Sequence, residues 1–393
     1  MRDGWKETTL GEIAELKMGR TPPRNDKRYW TDDLASPFCT IADMDGKWIS
    51  PKREGVTKKA IDDGKARLVS AGSLMMSFKL TLGRVGFAEV DLYPNEAIVA
   101  IDVQHGISTS DFLYLVLGFQ DLSHGSGRAV KGATLNSKSL AAIPILLPSI
   151  AEQKRIVDLV SSVDTYIDAL QQQVDAARTA RNAVLHELLT AGGDGWTETT
   201  LGKVATLNPR ESALSKDAPF VPMDAVRVGE RFVTYFEPRG ERSGARANED
   251  DILFARITPC LENGKVAQIQ KGFGLCGGST EFIVVRGSET MLSDFIYFWA
   301  TWPETRNRAA GLMTGTTGRQ RLSASDLAAI QILLPPIAEQ ERIVDIVSSM
   351  DDVIQAAEGA VVEAKNLRSG LLSDLLSGEH EIPVSYDELL GAA

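Results

Sequence analysis

The segment LAAIPILLPSIAEQKRIVDLVSSVD at 140–164 returns at 327–351 with twenty of its twenty-five positions unchanged. A shorter repeat lies upstream of each copy. GWKETTLGEIAEL at 4–16 returns as GWTETTLGKVATL at 195–207, keeping nine of thirteen positions. The offsets are 187 and 191 residues, and no convincing alignment joins the stretches between the repeats. A chain duplicated in this way is expected to form two half-molecules, each with a shared opening strand, a body of its own and a shared closing helix. A length of 393 residues also exceeds what one ordinary core holds.

The closing helices carry local signals. Ser149 precedes Ile150-Ala151-Glu152, a pattern in which hydroxyl and carboxylate satisfy free N–H groups at a helix start. In the second copy Pro336 replaces the serine, while Glu339 keeps its favourable place at the positive end of the helix dipole. Gly192-Gly193 and Gly378 are the expected stops. Between them apolar positions advance in steps of four and three. One seam runs Ile156, Val160, Val163, Ile167, Leu170, Val174, Ala177, Arg181, Val184, Leu188. The other runs Ile343, Val347, Met350, Ile354, Ala357, Val361, Ala364, Arg368, Leu371, Leu375. A period of 3.5 predicts a coiled coil, the alternative being two amphipathic helices packed separately on their own bodies. A two-fold relation between the halves would make the pair antiparallel. Some forty residues at ~1.5 Å each would make a rod of about 60 Å, a ruler between the bodies.

The expected fold is therefore α/β: two mixed α/β domains separated by two long antiparallel coiled-coil helices, with a pseudo-two-fold internal repeat. The segments are 1–148, first body; 149–192, first spacer helix; 193–335, second body; 336–378, second spacer helix; and 379–393, an acidic tail. Within the bodies, RVGFAEVDL, EAIVAIDV, KVAQIQ and TEFIVVR read as strands. DFLYLVLGFQDL at 111–122 and DFIYFWATWPETRNRAA at 294–310 read as helical stretches.

Signals of catalysis are missing. No Walker A loop, no Asn-Pro-Pro-Tyr-type amine-methylation motif and no G-x-G-x-x-G after a strand occurs. GFGLCGG at 272–278 has the wrong spacing for a phosphate cradle and reads as a turn. The four histidines and three cysteines show no ligand spacing. No apolar run is long enough to cross a membrane, and MRDGWKETTLGE lacks a signal-peptide core, so a cytoplasmic location is expected.

Net charge is −11, which argues against a nucleic-acid partner until its distribution is considered. Residues 337–393 hold twelve acidic and three basic side chains, whereas 17–67 hold eight acidic and twelve basic. Residues 205–330 balance at fifteen each, twelve of the cations being arginine. The acidity thus sits mainly on the last helix and tail, and DNA contact by the bodies stays open. Each body also has glycine-flanked loops rich in Arg, Lys, Thr, Ser and Asn. They are MGRTPPRNDKRYW, MSFKLTLGR and GRAVKGATLNSKSL in the first, and FARITPCLENGK, GGSTEF and GTTGRQRLSASDL in the second. Arg and Lys suit guanine O6 and N7, Asn and Gln suit adenine, and Thr, Ser and glycine-flanked N–H groups suit phosphate. Solvated surface is the ordinary reading of any one such residue. Six loops on two matched bodies make the joint case.

These features resemble the specificity subunits of Type I restriction–modification enzymes. The resemblance rests on GWKETTLGEI and GWTETTLGKV, GRTPPRNDKRYW, GATLNSKSL and GRQRLSASDL, and the paired ILLPSIAEQKRIV and ILLPPIAEQERIV. It covers nearly the whole chain. It implies two target-recognition domains reading a bipartite, asymmetric site on double-stranded DNA. It further implies a non-catalytic subunit with no cofactor of its own, on which two methylation subunits dock and to which motor-nuclease subunits are added. Adenine methylation with S-adenosylmethionine, ATP use and Mg²⁺ would belong to those partners. By context, the implied DNA-binding residues are Arg20, Thr21, Lys79, Arg84, Thr134 and Asn136 in the first body. In the second they are Arg256, Asn263, Lys265, Thr317, Arg319 and Arg321. The alternative is a non-catalytic protein-binding adaptor built on a coiled coil, which the overall acidity favours. An enzyme with its own active site is disfavoured by the missing motifs.

Overall fold

A computed structural model describes residues 4–120, 122, 135–316, 318–383 and 385–390. The chain divides into two compact units, Met1–Ala169 with Val361–Ala393, and Leu170–Ala360. The division runs through both long helices rather than at their ends, so each helix contributes to both units.

In unit 1, β1 (Lys6–Thr9), α1 (Leu10–Ile13) and β2 (Ala14–Met18) are followed by β3 (Trp30–Thr31), β4 (Phe38–Cys39), β5 (Trp48–Ile49) and β6 (Gly55–Val56). Next come α2 (Lys58–Asp62), β7 (Leu74–Ser77), β8 (Val85–Ala88), β9 (Tyr93–Pro94) and β10 (Ile98–Val103). Then α3 (Ser110–Phe119), α4 (Ser137–Ala141) and β11 (Pro144–Leu147) lead into α5 (Ile150–Thr190). The central sheet has the order β2-β10-β7-β8-β5. Ile98, Val99, Ala100 and Ile101 of β10 are all buried, as suits a strand covered on both faces.

In unit 2, β12 (Thr197–Thr200), α6 (Leu201–Val204) and β13 (Thr206–Leu207) precede β14 (Pro219–Val221), β15 (Glu237–Pro238) and β16 (Ala245–Ala247). β17 (Ile252–Ala255), β18 (Val266–Gln268), β19 (Cys276–Gly278) and β20 (Phe282–Arg286) follow. After α7 (Ser293–Thr301) and α8 (Pro303–Gly311) come β21 (Thr314–Thr316), β22 (Arg319–Arg321), α9 (Ala324–Ala329), β23 (Gln331–Leu334) and α10 (Ile337–Ser377). The sheet order β13-β20-β17-β18 repeats β2-β10-β7-β8, and the parallel pair β14–β19 repeats β4–β9. The bodies thus share a core although their sequences do not align. Leu74-Met75-Met76 and Ile252-Leu253-Phe254 fill equivalent buried strands, because cores accept different apolar residues of suitable volume.

The repeated ends have physical reasons. β1 pairs with β11 and β12 with β23 in the same antiparallel arrangement. A Cβ on Gly11 would lie 2.7 Å from the Ala141 methyl, and one on Gly202 would lie 2.8 Å from that of Ala328. The glycine of TTLG and the first alanine of LAAI are therefore one contact written twice. The 294–310 stretch, expected to be helical throughout, breaks between α7 and α8. Pro303 lacks an N–H, and Trp302 before it is pushed to an extended conformation, with ψ 132°.

Both expected seams are buried or half-buried along their length. In unit 1, Ile156 and Val160 of α5 share a core with Leu372 and Leu375 of α10, and Arg368 pairs with Asp164. In unit 2, Arg178 pairs with Glu358 and Arg181 with Asp351, so the numbering of the two helices runs in opposite directions. Within each unit the helices are antiparallel. Both end where glycine was expected, and a Cβ on Gly378 (φ +73°) would lie 3.3 Å from the Trp5 ring.

Residues 379–393 read as an unassigned tail. Ile382 instead joins the unit 1 core, and α11 (Tyr386–Leu390) presents Asp387 to Arg155, with both guanidinium contacts at 2.7 Å. That hydrogen bond lowers the Asp387 pKa from its ordinary 3.8. A depressed folded-state pKa gives stabilisation that is complete above the ordinary value and lost as pH falls through the lowered one. The protection of amides around α11, relative to their intrinsic exchange at each pH, should therefore hold down to about pH 4 and fall below it. Asp387→Asn should give fast exchange at neutral pH, and unchanged protection in that variant would refute the latch.

Candidate nucleic-acid interface

In each unit, three segments meet at one end of the central sheet. In unit 1 the Phe78 N–H donates to Ala97 O and the Leu135 N–H to Phe78 O, both at 3.0 Å. In unit 2 the Arg256 N–H donates to Glu281 O at 2.9 Å, and the Leu322 N–H to Arg256 O at 2.8 Å. The same backbone ladder thus joins the β7–β8 loop, the turn before β10 and the lead into α4. In unit 2 it joins the β17–β18 loop, the turn before β20 and the lead into α9. Most of the residues expected to bind DNA border these places.

Unit 1 gathers Arg20, Thr21 and Lys79 around Glu96. Gly19 follows the last residue of β2, and a Cβ there would fall 2.1 Å from Asn95 O, so only glycine lets the chain pass. Arg20 then donates to Gly64 O at 2.8 Å, and the Thr21 hydroxyl donates to the Glu96 carboxylate. That hydrogen bond, aided by Lys79 and Arg24, holds the Glu96 carboxyl below its usual range. An open cleft of about 630 Å³ is lined by Gly19, Arg20, Thr21, Arg24, Lys65 and Glu96 among others. Arg24 lies over the Trp30 ring at 3.8 Å, a cation–π contact that fixes its guanidinium.

Arg84 lies further along the same sheet end and reaches Ile41 O at 3.3 Å, tying the 40–48 loop in place. The Asn136 side-chain oxygen caps α4, accepting from the Lys138 and Ser139 N–H groups at 2.9 Å. Thr134 lies outside the described residues. Lys47 and Trp48, not among the residues expected from the sequence, add a cation and an exposed aromatic ring to unit 1. Trp48, 55% exposed, sits on edge strand β5 beside Phe87 of β8. The Lys47 ammonium is 5.6 Å from the Tyr114 ring centre. The signal was an aromatic residue among cations in GKWISPKR.

Unit 2 brings Arg256, Glu281 and Arg321 together. Arg321 forks onto Glu281 through Nε at 3.0 Å and Nη2 at 2.7 Å, which lowers the pKa of that carboxyl. The Arg256 Nε is buried and without a partner among the described residues. Arg319 is exposed on β22, and Asn263 is exposed in the β17–β18 loop. Lys265 donates to Met223 O at 3.0 Å, bracing a neighbouring loop as Arg84 does in unit 1. Thr317 lies outside the described residues.

These groups are donors suited to phosphate and base edges. Among the described residues, no group of three or more His, Cys, Asp and Glu side chains could hold a metal, and no helix is long and apolar enough to cross a membrane. Burial pushes the Cys39 and Cys276 thiols up to about 12, so neither is a ready nucleophile at neutral pH.

A family model described as the Type I restriction modification DNA specificity domain matches residues 2–177 and again 194–364. Along its length the chain is similar to the putative type I restriction enzyme MjaX specificity subunit of Methanocaldococcus jannaschii, 21% identical and covering 96% of both proteins. It is 29% identical to the Type I restriction enzyme EcoEI specificity subunit of Escherichia coli over 47% of this chain and 32% of that one. A solved chain from work on assembly and conformational transition of the type I R-M system superposes with a TM-score of 0.61 at 16% identity, covering 95% of this chain and 98% of that one. The S subunit of a Type I restriction-modification system from M. genitalium superposes with a TM-score of 0.51 at 14% identity, covering 96% and 97%. At such identities the two solved structures speak to the fold alone.

Proposed function

Because the chain belongs to the Type I restriction–modification DNA specificity family, we propose that it reads DNA for such an enzyme, each unit taking one part of a bipartite, asymmetric site. The observation that carries this is the repeated sheet-end ladder bearing different donors. Arg20 and Lys79 stand near it in unit 1, and Arg256, Arg319 and Arg321 in unit 2. One scaffold with two sets of donors suits two half-sites of different sequence. Two methylation subunits would dock on the helices, and motor-nuclease subunits would join them. S-adenosylmethionine, ATP and Mg²⁺ would be used by those partners, in the cytoplasm. Tyr166 on α5 and Val353 on α10, at equivalent repeat positions, are 59% and 65% exposed and support protein docking there.

Arg319→Ala should lower affinity by roughly 5- to 150-fold and relax base preference in one half-site only. The measurement is binding of the full chain to duplexes randomised in one half-site at a time. Equal relaxation in both halves would contradict modular reading. The net charge of −11 favours the protein-adaptor alternative. Affinity for DNA that falls steeply with added salt would exclude that alternative, and salt-independent binding would support it.

A further inference from the structure

The ribbon β21–β22 stands out at the edge of the unit 2 ladder. Thr314, Gly315 and Thr316 pair with Arg321, Gln320 and Arg319, and all but Gln320 are exposed. Its root is stitched to the β17–β18 loop. The Thr258 N–H donates to Gln320 O, and the Gln320 N–H to the Thr258 hydroxyl, each at 3.1 Å. Arg319 and Arg321 are two residues apart on one strand and so share a face, about 7 Å apart. That is close to two base-pair steps at ~3.4 Å each. A two-stranded ribbon also fits the major groove of B-DNA.

The brace on Arg321 is informative. A guanidinium has five N–H groups, and Glu281 takes one edge of it, Nε and one hydrogen of Nη2. The end-on fork of Nη1 and Nη2 stays available, and that fork matches O6 and N7 of guanine. A carboxylate beside the guanidinium would repel a phosphate, whereas it orients the fork for a neutral base edge. Arg286 makes a similar fork with Asp251, but Asp251 is 1% exposed and the pair belongs to the central sheet.

Resting on the DNA-reading function above, we propose that Arg321 reads a guanine in the half-site taken by unit 2, with Glu281 as its positioning residue. The test is selection of bound duplexes from a randomised pool by the full chain, comparing the unmodified protein with R321A, R321K and E281Q. The unmodified chain should select guanine at one position that R321A and R321K no longer specify, with an affinity loss of roughly 5- to 150-fold for R321A. E281Q should keep binding DNA while its preference at that same position weakens. Guanine preference retained in R321A, or an even loss over all sequences with a shallower salt dependence, would overturn the proposal by making Arg321 a surface or phosphate contact. Absence of any base preference in the unmodified chain would instead sink the DNA-reading function, and this inference with it.

Discussion

Gln340→Ala is expected to destabilise unit 2 by about 2–4 kcal/mol, because it removes a fully buried amide that ties three backbone groups together and leaves a cavity. Gln340 is fully buried near the start of α10. Its side-chain oxygen accepts from the Leu292 N–H at 2.9 Å, and its amide donates to Thr290 O at 2.8 Å and Pro335 O at 2.9 Å. It therefore joins the closing helix, the segment before it and the start of α7. An orphaned buried donor or acceptor costs about 1–3 kcal/mol, and the cavity adds to that. Gln153 does the same in unit 1, accepting from Ser108 Oγ and the Thr109 N–H and donating to Ile107 O and Pro148 O. A chain of two units need not unfold in one step, so amide exchange read segment by segment is the better measurement. Gln340→Ala should lose protection at 288–296 and 337–345, and Gln153→Ala at 105–113. Native protection at those segments would show that the glutamine is not the tie.

The same glutamine shows how far the sequence could be read. The repeated IAEQ marked two helix starts correctly, because caps, glycine stops and a 3.5-residue period are local signals. Nothing local says that the Q of that motif crosses to a neighbouring turn, so its role emerged only from the folded contacts. The shared sheet order of the bodies was hidden for a related reason. Strand pairing is long-range, and the code for a buried strand is merely apolar, so Leu74-Met75-Met76 and Ile252-Leu253-Phe254 leave no alignment.

Site residues were legible as types and not as commitments. The sequence shows that Arg84 and Lys265 stand beside glycine at the end of a loop. It does not show that each already donates to a backbone carbonyl. Asn136 could have been read further. Asn136 and Ser139 have the spacing of a capping box, and both halves of that box form at α4. Glu281 lies within the GGSTEF loop, but nothing in the sequence says that this anion orients a guanidinium forty residues downstream.

Reversing the charges of the Arg181–Asp351 pair one at a time should each cost about 2–3 kcal/mol, and reversing both should recover at least half of the summed loss. Arg181 lies on the helix seam with its side chain 12% exposed. Its Nε and Nη2 donate to the two oxygens of Asp351 at 2.8 and 3.0 Å, and its guanidinium lies 5.5 Å from the Phe298 ring centre. Asp351 is 38% exposed, so the pair is worth less than a fully buried one. Its larger effect is on register. A slip of one helical turn would set the guanidinium against Val347 or Ile354, both seam residues, and strand a charge in an apolar contact. Arg368 and Asp164 repeat the pair in unit 1 at the same offset of 187 residues, so each unit carries its own lock. The measurement is a double-mutant cycle on R181D, D351R and the double reversal, read from amide exchange over 345–360. Strictly additive losses would mean that the two side chains do not act on each other, and that apolar packing alone sets the register.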